Sequence, residues 1–414
     1  MLPILDHLDQ LYTAREEEIE RWLGQKRAEA PPYLYNSVDL RHSGVRLAPV
    51  DTNLYPAGFN TLSAAAAVRA SRFLHSSFAE RFPGAKRLLI APETHTRNQH
   101  YLENVAALKR ILETAGMETQ VGALSAEAPG EKLTQKNGLL LTERGFTPDV
   151  IVLNNDCTSG IPELLQNIAQ PIVPPPEMGW WRRRKTVHFC AYRELATAFA
   201  DTFKLDPWLI AAEFRRCGHI DFKAHVGLDR VAHAVDNVIA KARAKHRQYG
   251  IAEDPYVFVK ADSGTYGMGI MAVHSGSEMI ELNKKNRNKM QSIKEGAEVH
   301  EVIVQEGIPT IDRVAGKPAE QMIYLIDGIP TGGMYRVNGE RDSTSNLNAA
   351  GVEFTGMCDE TEAVFDCRQP VKNCQFRAFG LVAALAALAV PREHYEEKTH
   401  GHYRDDSNQA GCSA

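Results

Sequence analysis

The sequence has no apolar run as long as the roughly 18 residues that a membrane-spanning helix needs. Its opening stretch, MLPILDHLDQLYTAREEEIERW, is amphipathic and acidic, and it has neither the basic region nor the apolar core of a secretory signal peptide. We therefore expect a soluble, cytoplasmic protein that has no membrane partner.

No cysteine pair has the spacing of a zinc site or of a redox motif. The seven cysteines are an odd number, and no two of them stand in a C-x-x-C pair. Disulfide frameworks and structural zinc sites usually show such regular spacing, whereas free cysteines are typical of a reducing compartment. We therefore expect neither structural zinc nor a disulfide framework.

The sequence has no excess of basic residues. Lysine and arginine number 47 against 52 for aspartate and glutamate, which gives a formal net charge of −5. Because nucleic-acid-binding domains are usually basic, we expect no nucleic-acid partner. One short cluster, WWRRRK at residues 180–185, places aromatic beside basic side chains. Such a cluster can bind nucleic acid, but a charge run at a domain junction or part of an anion site fits an acidic protein better.

The chain is long enough, at 414 residues of which 43% are apolar, to form two or three domains. Residues 87–92 and 149–156 read as buried strands that run into polar loops, which is typical of an open, mostly parallel sheet. Helices are predicted from about residue 185 to 249, one of them ending near Gly218. We predict an α/β fold divided into an α/β domain at 1–180, a helical connecting region at 181–250, a strand-rich region at 251–395 and a polar tail at 396–414.

An unusually polar stretch, YLYNSVDLRHSGVRLAPVDTNLYPAGFNTLS, follows the first predicted helix. Arginine suits a two-point grip on a carboxylate and aspartate suits an ammonium group, so this stretch can bind one small zwitterion. A solvated loop that is held by its own turns is the alternative. The candidate substrate-binding residues are Arg41, Arg46, Asp51, Asn53 and Asn60.

The segment YVFVKADSGTYGMGIMAVH, residues 256–274, reads as a strand, a glycine-containing loop and a second strand. Lys260 ends the first strand, and Gly264, Gly267 and Gly269 lie in the loop. Glycines let backbone N–H groups approach oxyanions closely and the lysine adds a positive charge, so the segment can fold over phosphates. The loop matches neither a Walker motif nor a Rossmann fingerprint. A β-hairpin that needs glycine only for positive φ is the alternative.

Further elements follow this loop in a fixed order. A β-branched strand ends in QEGI at residues 305–308, and residues 321–338 read as a hairpin that turns at an Asp-Gly pair and carries Arg336. A loop of small residues then carries Asn346 and Asn348, and an alanine-rich helix is predicted at about residues 376–390.

This order of elements resembles the core of an ATP-grasp enzyme, over about residues 257–356. By that resemblance Lys260 contacts the phosphates of ATP, the loop at 263–269 covers them, and the segment at 305–308 reads adenine. Arg336 would stabilise an acyl-phosphate, with Asn346 beside the phosphate or the substrate. The resemblance implies the catalytic residues Lys260, Arg336 and Asn346. It implies the ATP-binding residues Lys260, Ser263, Gly264, Gly267, Gly269, Gln305, Glu306 and Ile308.

Over nearly its whole length the sequence resembles the bacterial glutamate–cysteine ligase (γ-glutamylcysteine synthetase) group, whose members are relatives of glutathione synthetase. The segments DLRHSGVRLAPVDTNLYPAGFN and KADSGTYGMG carry this resemblance. It implies an N-terminal, pre-ATP-grasp-like parallel-sheet domain that binds substrate, followed by an ATP-grasp-like α+β nucleotide-binding region. It also implies an enzyme, compatible with a homo-oligomer, that uses ATP and Mg²⁺ to join the γ-carboxylate of glutamate to cysteine through a γ-glutamyl phosphate, in the first step of glutathione biosynthesis.

The sequence departs from the ATP-grasp pattern at the metal ligands, because no clean E-x-N pair follows Phe354. Glu320 and Asn348 are the candidates for binding magnesium. Two other functions stay open. Another ATP-grasp carboxylate–amine ligase would differ only in its pocket, and a nucleotide-binding protein without ligase activity would share the whole core.

Overall fold

The computed structural model describes residues 2–94, 98–264, 269–291, 298–357 and 376–394. Gly267 and the predicted polar tail at 396–414 lie outside the described residues. The fold is mixed α/β and is built on three sheets.

The strands and helices of the described residues are as follows. The strands are β1 Tyr35–His42, β2 Leu47–Asn53, β3 Arg87–Pro92, β4 Glu118–Ala123, β5 Glu131–Lys136, β6 Leu139–Thr142, β7 Val150–Asn154, β8 Ile172–Val173, β9 Phe214–Cys217, β10 Val257–Ala261, β11 Ile270–Val273, β12 Val302–Glu306, β13 Arg313–Val314, β14 Lys317–Ile326, β15 Ile329–Asn338 and β16 Val352–Gly356. The α-helices are α1 Ile4–Glu29, α2 Ala64–Arg81, α3 Gln99–Thr114, α4 Lys185–Phe203, α5 Leu228–Tyr249, α6 Ser277–Ile280, α7 Lys284–Gln291 and α8 Phe376–Ala389.

The parallel sheet has the strand order β6-β5-β4-β3-β7-β8. Its strands run parallel except for β5 and β6, which form an antiparallel pair at one edge. Strand β7 is buried along its whole length, as the continuous apolar run at this position predicts. The predicted parallel sheet is therefore confirmed. The polar loop after β7 contains a short 3-10 turn, Glu163–Leu165.

The central sheet is antiparallel and has the order β16-β15-β14-β1-β2, with β13 paired to β14. Strands β14 and β15 form the predicted hairpin, and its turn residues Asp327 and Gly328 both have positive φ, at 50° and 69°. Strand β1 pairs with β14, so the first two strands of the chain share a sheet with strands from its last third. The division at residues 180 and 250 stays a prediction, and this pairing crosses it.

The flap sheet is antiparallel and has the order β11-β10-β12-β9. Its outer strand β9 lies where the sequence predicts a helix ending near Gly218, so that helix is wrong. Asp206 caps only a 3-10 turn, Pro207–Leu209, and residues 214–217 pair with β12 instead. Pairing with a distant strand decides the conformation of this segment, because strand formation depends strongly on tertiary context.

Helix α8 lies at the centre of the largest apolar cluster, where it packs against α1, α4 and the central sheet. It is alanine-rich and apolar on every side, which is the pattern of a helix buried all round. The predicted helix is confirmed. No helix among the described residues is long and apolar enough to span a membrane.

The described cysteines differ in state. Cys157 and Cys217 are reduced and buried, whereas Cys190 is disulfide-bonded. Burial raises the pKa of the Cys217 thiol to about 11, so this thiol stays protonated and unreactive. An odd number of cysteines and their irregular spacing do not exclude a single bond such as the one at Cys190, which is not a disulfide framework.

Candidate active site

The floor of the candidate site is one face of the central sheet. Residues two apart in a strand point to the same face, so Asp39 and Arg41 of β1 share it. Asp39 is paired in register with Asp51 of β2, and Glu320 of β14 with Arg336 of β15. Antiparallel pairing thus places residues that are far apart in sequence side by side.

A cleft of about 720 Å³, part of it open to solvent, lies over this floor. The flap sheet, the N-terminus of α4 and the loop between β15 and β16 form its other sides. The cleft is lined by Asp39, Arg41, Val50, Asp51, Asn53, Lys185, Phe258, Lys260, Ala261, Gly264, Ile270, Glu320, Arg336, Asn346 and Asn348.

Positive charge exceeds negative charge in this lining. The cations are Arg41, Lys185, Lys260 and Arg336, and the carboxylates are Asp39, Asp51 and Glu320. A buried cleft with an uncompensated positive charge attracts an anionic ligand, because the low local dielectric strengthens the interaction.

Glu320 joins the two arginines of the floor. Its Oε2 accepts a hydrogen bond from Arg41 Nε at 2.7 Å, and its Oε1 accepts one from an Arg336 terminal nitrogen at 2.5 Å. Burial raises the pKa of the Glu320 carboxyl, but the two guanidinium groups outweigh burial and hold this pKa below its usual value. Glu320 is therefore a fixed anion that orients Arg41 and Arg336.

Arg336 keeps one donor free. Its Nε–H is buried and has no hydrogen-bond partner among the described residues, although its terminal nitrogen also donates to Asp39 at 2.8 Å. A buried donor without a partner costs free energy, so a ligand oxygen that accepts from it would gain affinity. Arg336 is thus held in place by two carboxylates while one N–H stays available.

Lys260 lies on β10, at the side of the cleft that the glycine loop borders. Its Nζ donates to Gln305 Oε1 at 2.8 Å and to the carbonyl of Val50 at 3.2 Å. Burial lowers the pKa of Lys260 to about 8, although the nearby Asp51 carboxylate opposes this shift. The lysine is therefore charged at neutral pH.

The glycine loop begins and ends in backbone conformations that favour glycine. Gly264 has φ of 101° and lines the cleft, and Gly269 has φ of 60° where β11 begins. Ser263 lies just before Gly264 and is half-buried, outside the cleft lining. The loop thus enters and leaves the flap sheet beside Lys260, as the sequence predicts.

Lys185 is a cleft residue that the sequence analysis missed. It begins α4, and its Nζ donates to Asp51 Oδ1 at 2.6 Å. The WWRRRK cluster that contains it is largely turned inward, since Arg183 pairs with Glu393 and Arg184 with Glu301. The sequence did contain a signal for this role. The cluster is basic and lies at the start of a helix, and one interpretation of it was part of an anion site.

The structure does not bring Arg46 or Asn60 to the cleft. Arg46 forms a buried ion pair with Glu306 at 2.6 Å and also donates to the backbone carbonyls of Trp208 and Ala211. Asn60 is exposed in a 3-10 helix, Phe59–Thr61.

The segment predicted to contact adenine, residues 305–308, begins at the end of β12, and β12 pairs with the strand that carries Lys260. Gln305 has a buried amide nitrogen without a described partner, whereas the Glu306 carboxylate is already bound by Arg46, Trp208 Nε1 and the backbone of Glu213. Ile308 is buried, and its carbonyl accepts from Arg41. The side chain of Glu306 is therefore satisfied without a nucleotide.

Neither of the two predicted magnesium ligands fits that role. No group of three or more His, Cys, Asp or Glu side chains within them could hold a metal ion. Of the two candidates, Glu320 uses both carboxylate oxygens to bind arginines, and Asn348 offers only an amide. Mg²⁺ needs carboxylate oxygens that are free to coordinate, usually together with nucleotide phosphates.

A family model and a solved structure both match this chain over almost its whole length. The family model described as GshA, glutamate-cysteine ligase, matches residues 9–394. A solved structure from Methylobacillus flagellatus KT, provisionally named gamma-glutamylcysteine synthetase, is 38% identical with a TM-score of 0.85, and the match covers 94% of this chain and 96% of that chain.

Other solved structures are far more distant. A glutathione synthetase-like effector, GSS30, from Globodera pallida is 9% identical with a TM-score of 0.43 over 85% of each chain. D-alanyl-alanine synthetase A from Vibrio cholerae O1 is 12% identical with a TM-score of 0.32, over 67% of this chain and 76% of that chain. At this distance neither bears on the fold or the activity. No curated protein matches the chain.

The family match spans both the strands of the cleft floor and the flap sheet, and the 38% identical structure superposes over almost the whole length. The chain belongs to the glutamate–cysteine ligase family and is an ATP-dependent ligase of the first step of glutathione biosynthesis.

Proposed function

We propose that the cleft is the active site, where ATP phosphorylates the γ-carboxylate of glutamate and the amino group of cysteine then displaces the phosphate. The observation that supports this proposal is the cleft itself. It joins Lys260, beside the glycine loop, to the two arginines of the central sheet. Phosphoryl transfer depends mainly on positioning and on charge neutralisation, which such a set of cations supplies.

Lys260 and Lys185 bind the phosphates of ATP in this proposal. Both ammonium groups line the cleft, and both are held by short hydrogen bonds to protein oxygens. The backbone at Gly264 and Gly269 permits close approach of the loop, as in ATP-grasp enzymes. Of the predicted adenine contacts, Gln305 keeps a free donor and stays in the proposal, whereas the side chain of Glu306 does not.

Arg336 stabilises the γ-glutamyl phosphate. Its free Nε–H can donate to an acyl-phosphate oxygen while Glu320 and Asp39 hold its terminal nitrogen. A donor that is oriented beforehand stabilises developing charge without reorganisation at the moment of reaction. Asn346 lies in the same cleft and is assigned to the phosphate or the substrate.

The N-terminal strands bind glutamate through Arg41, Asp51 and Asn53, which all line the cleft. Arg41 is buried and held by Glu320 and by the carbonyls of Ser343 and Ser345. Arg46 and Asn60 are left out of this role because they lie elsewhere. Magnesium would arrive with the nucleotide, and no step of the proposal is assigned to a protein-held ion.

The test is ADP release by the purified protein with ATP, Mg²⁺ and glutamate, with and without cysteine. Cysteine-dependent ADP release together with γ-glutamylcysteine as the product is the expected result. A panel of other amines separates this reaction from a different carboxylate–amine ligation. ATP binding without ADP release for any acid and amine would contradict the proposal and favour a non-catalytic nucleotide-binding protein.

A further inference from the structure

One carboxylate oxygen of the cleft has no hydrogen-bond partner. Asp39 is only 5% exposed, and its Oδ2 accepts a hydrogen bond from Arg336 at 2.8 Å. Its Oδ1 is buried and has no partner among the described residues. An unpaired anionic acceptor that borders a cleft is costly unless a ligand supplies a donor.

The other carboxylates of the cleft are already used by protein cations. Glu320 binds Arg41 and Arg336, and Asp51 binds Lys185. Asp39 is therefore the acid of the described lining whose buried carboxylate oxygen has no partner, and a cationic group of a substrate can donate a hydrogen bond to it. Asp39 lies beside Arg336, so its unpartnered oxygen is close to the arginine that we assign to the acyl-phosphate.

We propose that Asp39 is a catalytic residue that binds the ammonium group of the incoming amino acid and removes its proton. This inference rests on the proposed function and adds the residue that activates the nucleophile. The Asp39 carboxylate takes one proton from R–NH₃⁺ and leaves R–NH₂. The nitrogen lone pair then forms the C–N bond at the acyl carbon, the C–O bond to phosphate breaks, and the second amine proton leaves with the product as HPO₄²⁻.

The surroundings of Asp39 suit proton removal. Burial raises the pKa of its carboxyl above the ordinary value, and the carboxylates of Asp51 and Glu320 raise it further. Arg336 opposes this shift and keeps the carboxylate available as a base. A base is more effective when its pKa lies closer to the working pH.

The experiment compares two acceptors in the Asp39→Asn variant, which keeps an oxygen for Arg336 but cannot take up a proton. Cysteine carries an ammonium group, whereas hydroxylamine is largely uncharged at neutral pH and needs no base. We expect kcat/KM for cysteine to fall by about 10²–10⁴-fold, the usual contribution of a general base, while hydroxylamine turnover stays near the wild-type rate. The remaining cysteine activity should rise about tenfold per pH unit, as the uncharged fraction of an amine does below its pKa.

Formation of the acyl-phosphate is measured separately, by the glutamate-dependent movement of ¹⁸O from the β,γ-bridge of ATP to non-bridging positions. This exchange needs no amine and should persist in Asp39→Asn. Ser37→Ala is the matched control, because it alters the same face of β1 two residues away, where the hydroxyl has no described partner. We expect this control to leave both acceptors unchanged.

The assignment would be wrong if Asp39→Asn lost turnover equally with cysteine and hydroxylamine, or if it lost the isotope exchange. It would also be wrong if excess Mg²⁺ restored cysteine turnover, because Asp39 would then act by binding a metal ion. Absence of exchange in the wild type would overturn the proposed function, and this inference with it. If Asp39→Asn does not fold, Asp39→Glu carries the same test, since it keeps the charge beside Arg336 but displaces the oxygen. Selective loss of cysteine turnover is then expected, and equal losses would again refute the assignment.

Discussion

Two arginines that are close in sequence have different surroundings. Arg41 points into the cleft and is held by Glu320, whereas Arg46 is enclosed between Glu306 and the ring of Trp208, whose centroid lies 3.8 Å from its guanidinium carbon. Both are almost fully buried. Local sequence predicts that both bind substrate, but only the tertiary pairing of β1 with β14 separates a ligand-facing arginine from a structural one.

Replacing Arg46 by methionine should therefore lower stability and leave glutamate binding intact. Removing one partner of a buried ion pair leaves an uncompensated charge on Glu306, which costs about 3–5 kcal/mol. Denaturant unfolding measures this loss, and the KM for glutamate of the folded variant should not change. As a control, Arg87→Met breaks the exposed pair with Asp149 and should cost no more than about 1 kcal/mol. A raised KM for glutamate in Arg46→Met would show that this arginine does contact substrate.

The pKa of Lys260 leads to a second prediction at the scale of the residue. With a pKa of about 8 the ammonium group is charged below that pH and loses its charge above it. Because kcat/KM reports the ionisation of the free enzyme, kcat/KM for ATP should fall as the pH rises through about 8. Arginine keeps its charge throughout this range, so Lys260→Arg should remove this fall in its pH profile. An unchanged profile in Lys260→Arg would assign the fall to another group.

At the scale of the element, the segment after α8 is fixed by a buried charge cluster. Glu393 accepts hydrogen bonds from Arg183, with the shortest at 2.8 Å, and from His188 Nδ1 of α4 at 2.8 Å. Arg183 also donates to the backbone of Thr52 in β2. The cluster therefore ties α8, α4 and the central sheet together directly behind the cleft.

Glu393 should make the protein sensitive to acid. Burial opposes ionisation, but Arg183 and His188 outweigh it and lower the pKa of the Glu393 carboxyl from 4.5 to about 2. A depressed carboxyl pKa adds stability that is present above the unfolded-state value and is lost as the pH falls from about 4.5 to about 2. Unfolding measured against pH should show a shallower loss in Glu393→Gln over this range. Glu353→Gln, at an exposed pair with Lys317, is the control and should follow the wild type.

Periodicity and turn chemistry predict the elements whose conformation is decided locally. The hairpin at residues 317–338, the buried strand β7 and the apolar helix α8 all follow from their own sequences. Strand β9 does not, because its pairing with β12 links residues that are far apart in the chain. For the same reason, the sequence predicts only part of the candidate site. Lys260, Arg336 and Asn346 carry recognisable local patterns, whereas Asp39 and Lys185 become cleft residues only through strand pairing and the packing of α4.

At the scale of the whole molecule, the cleft floor belongs to neither end of the chain alone. Strand β1 lies between β2 and β14, so that Asp39 and Arg41 reach Arg336 and Glu320 only when both ends of the chain are folded together. The predicted boundary at residue 180 separates these strands in sequence. A substrate-binding domain that ends there would leave one side of β1 without its partner strand.

Residues 1–180 produced alone should therefore not form a native-like domain. Without β14 the backbone N–H and C=O groups along β1 become an exposed edge, and buried side chains such as Tyr35 and Val38 lose part of their packing. We expect this fragment to aggregate or to unfold without a cooperative transition, whereas the full chain should show a cooperative transition whose midpoint rises as ATP is added. Thermal unfolding followed by circular dichroism compares the two. A sharp, cooperative transition in the fragment would contradict this prediction and establish residues 1–180 as an independent domain. The pairing of β1 with β14 would then be needed to form the active site and not to stabilise the N-terminal part of the chain.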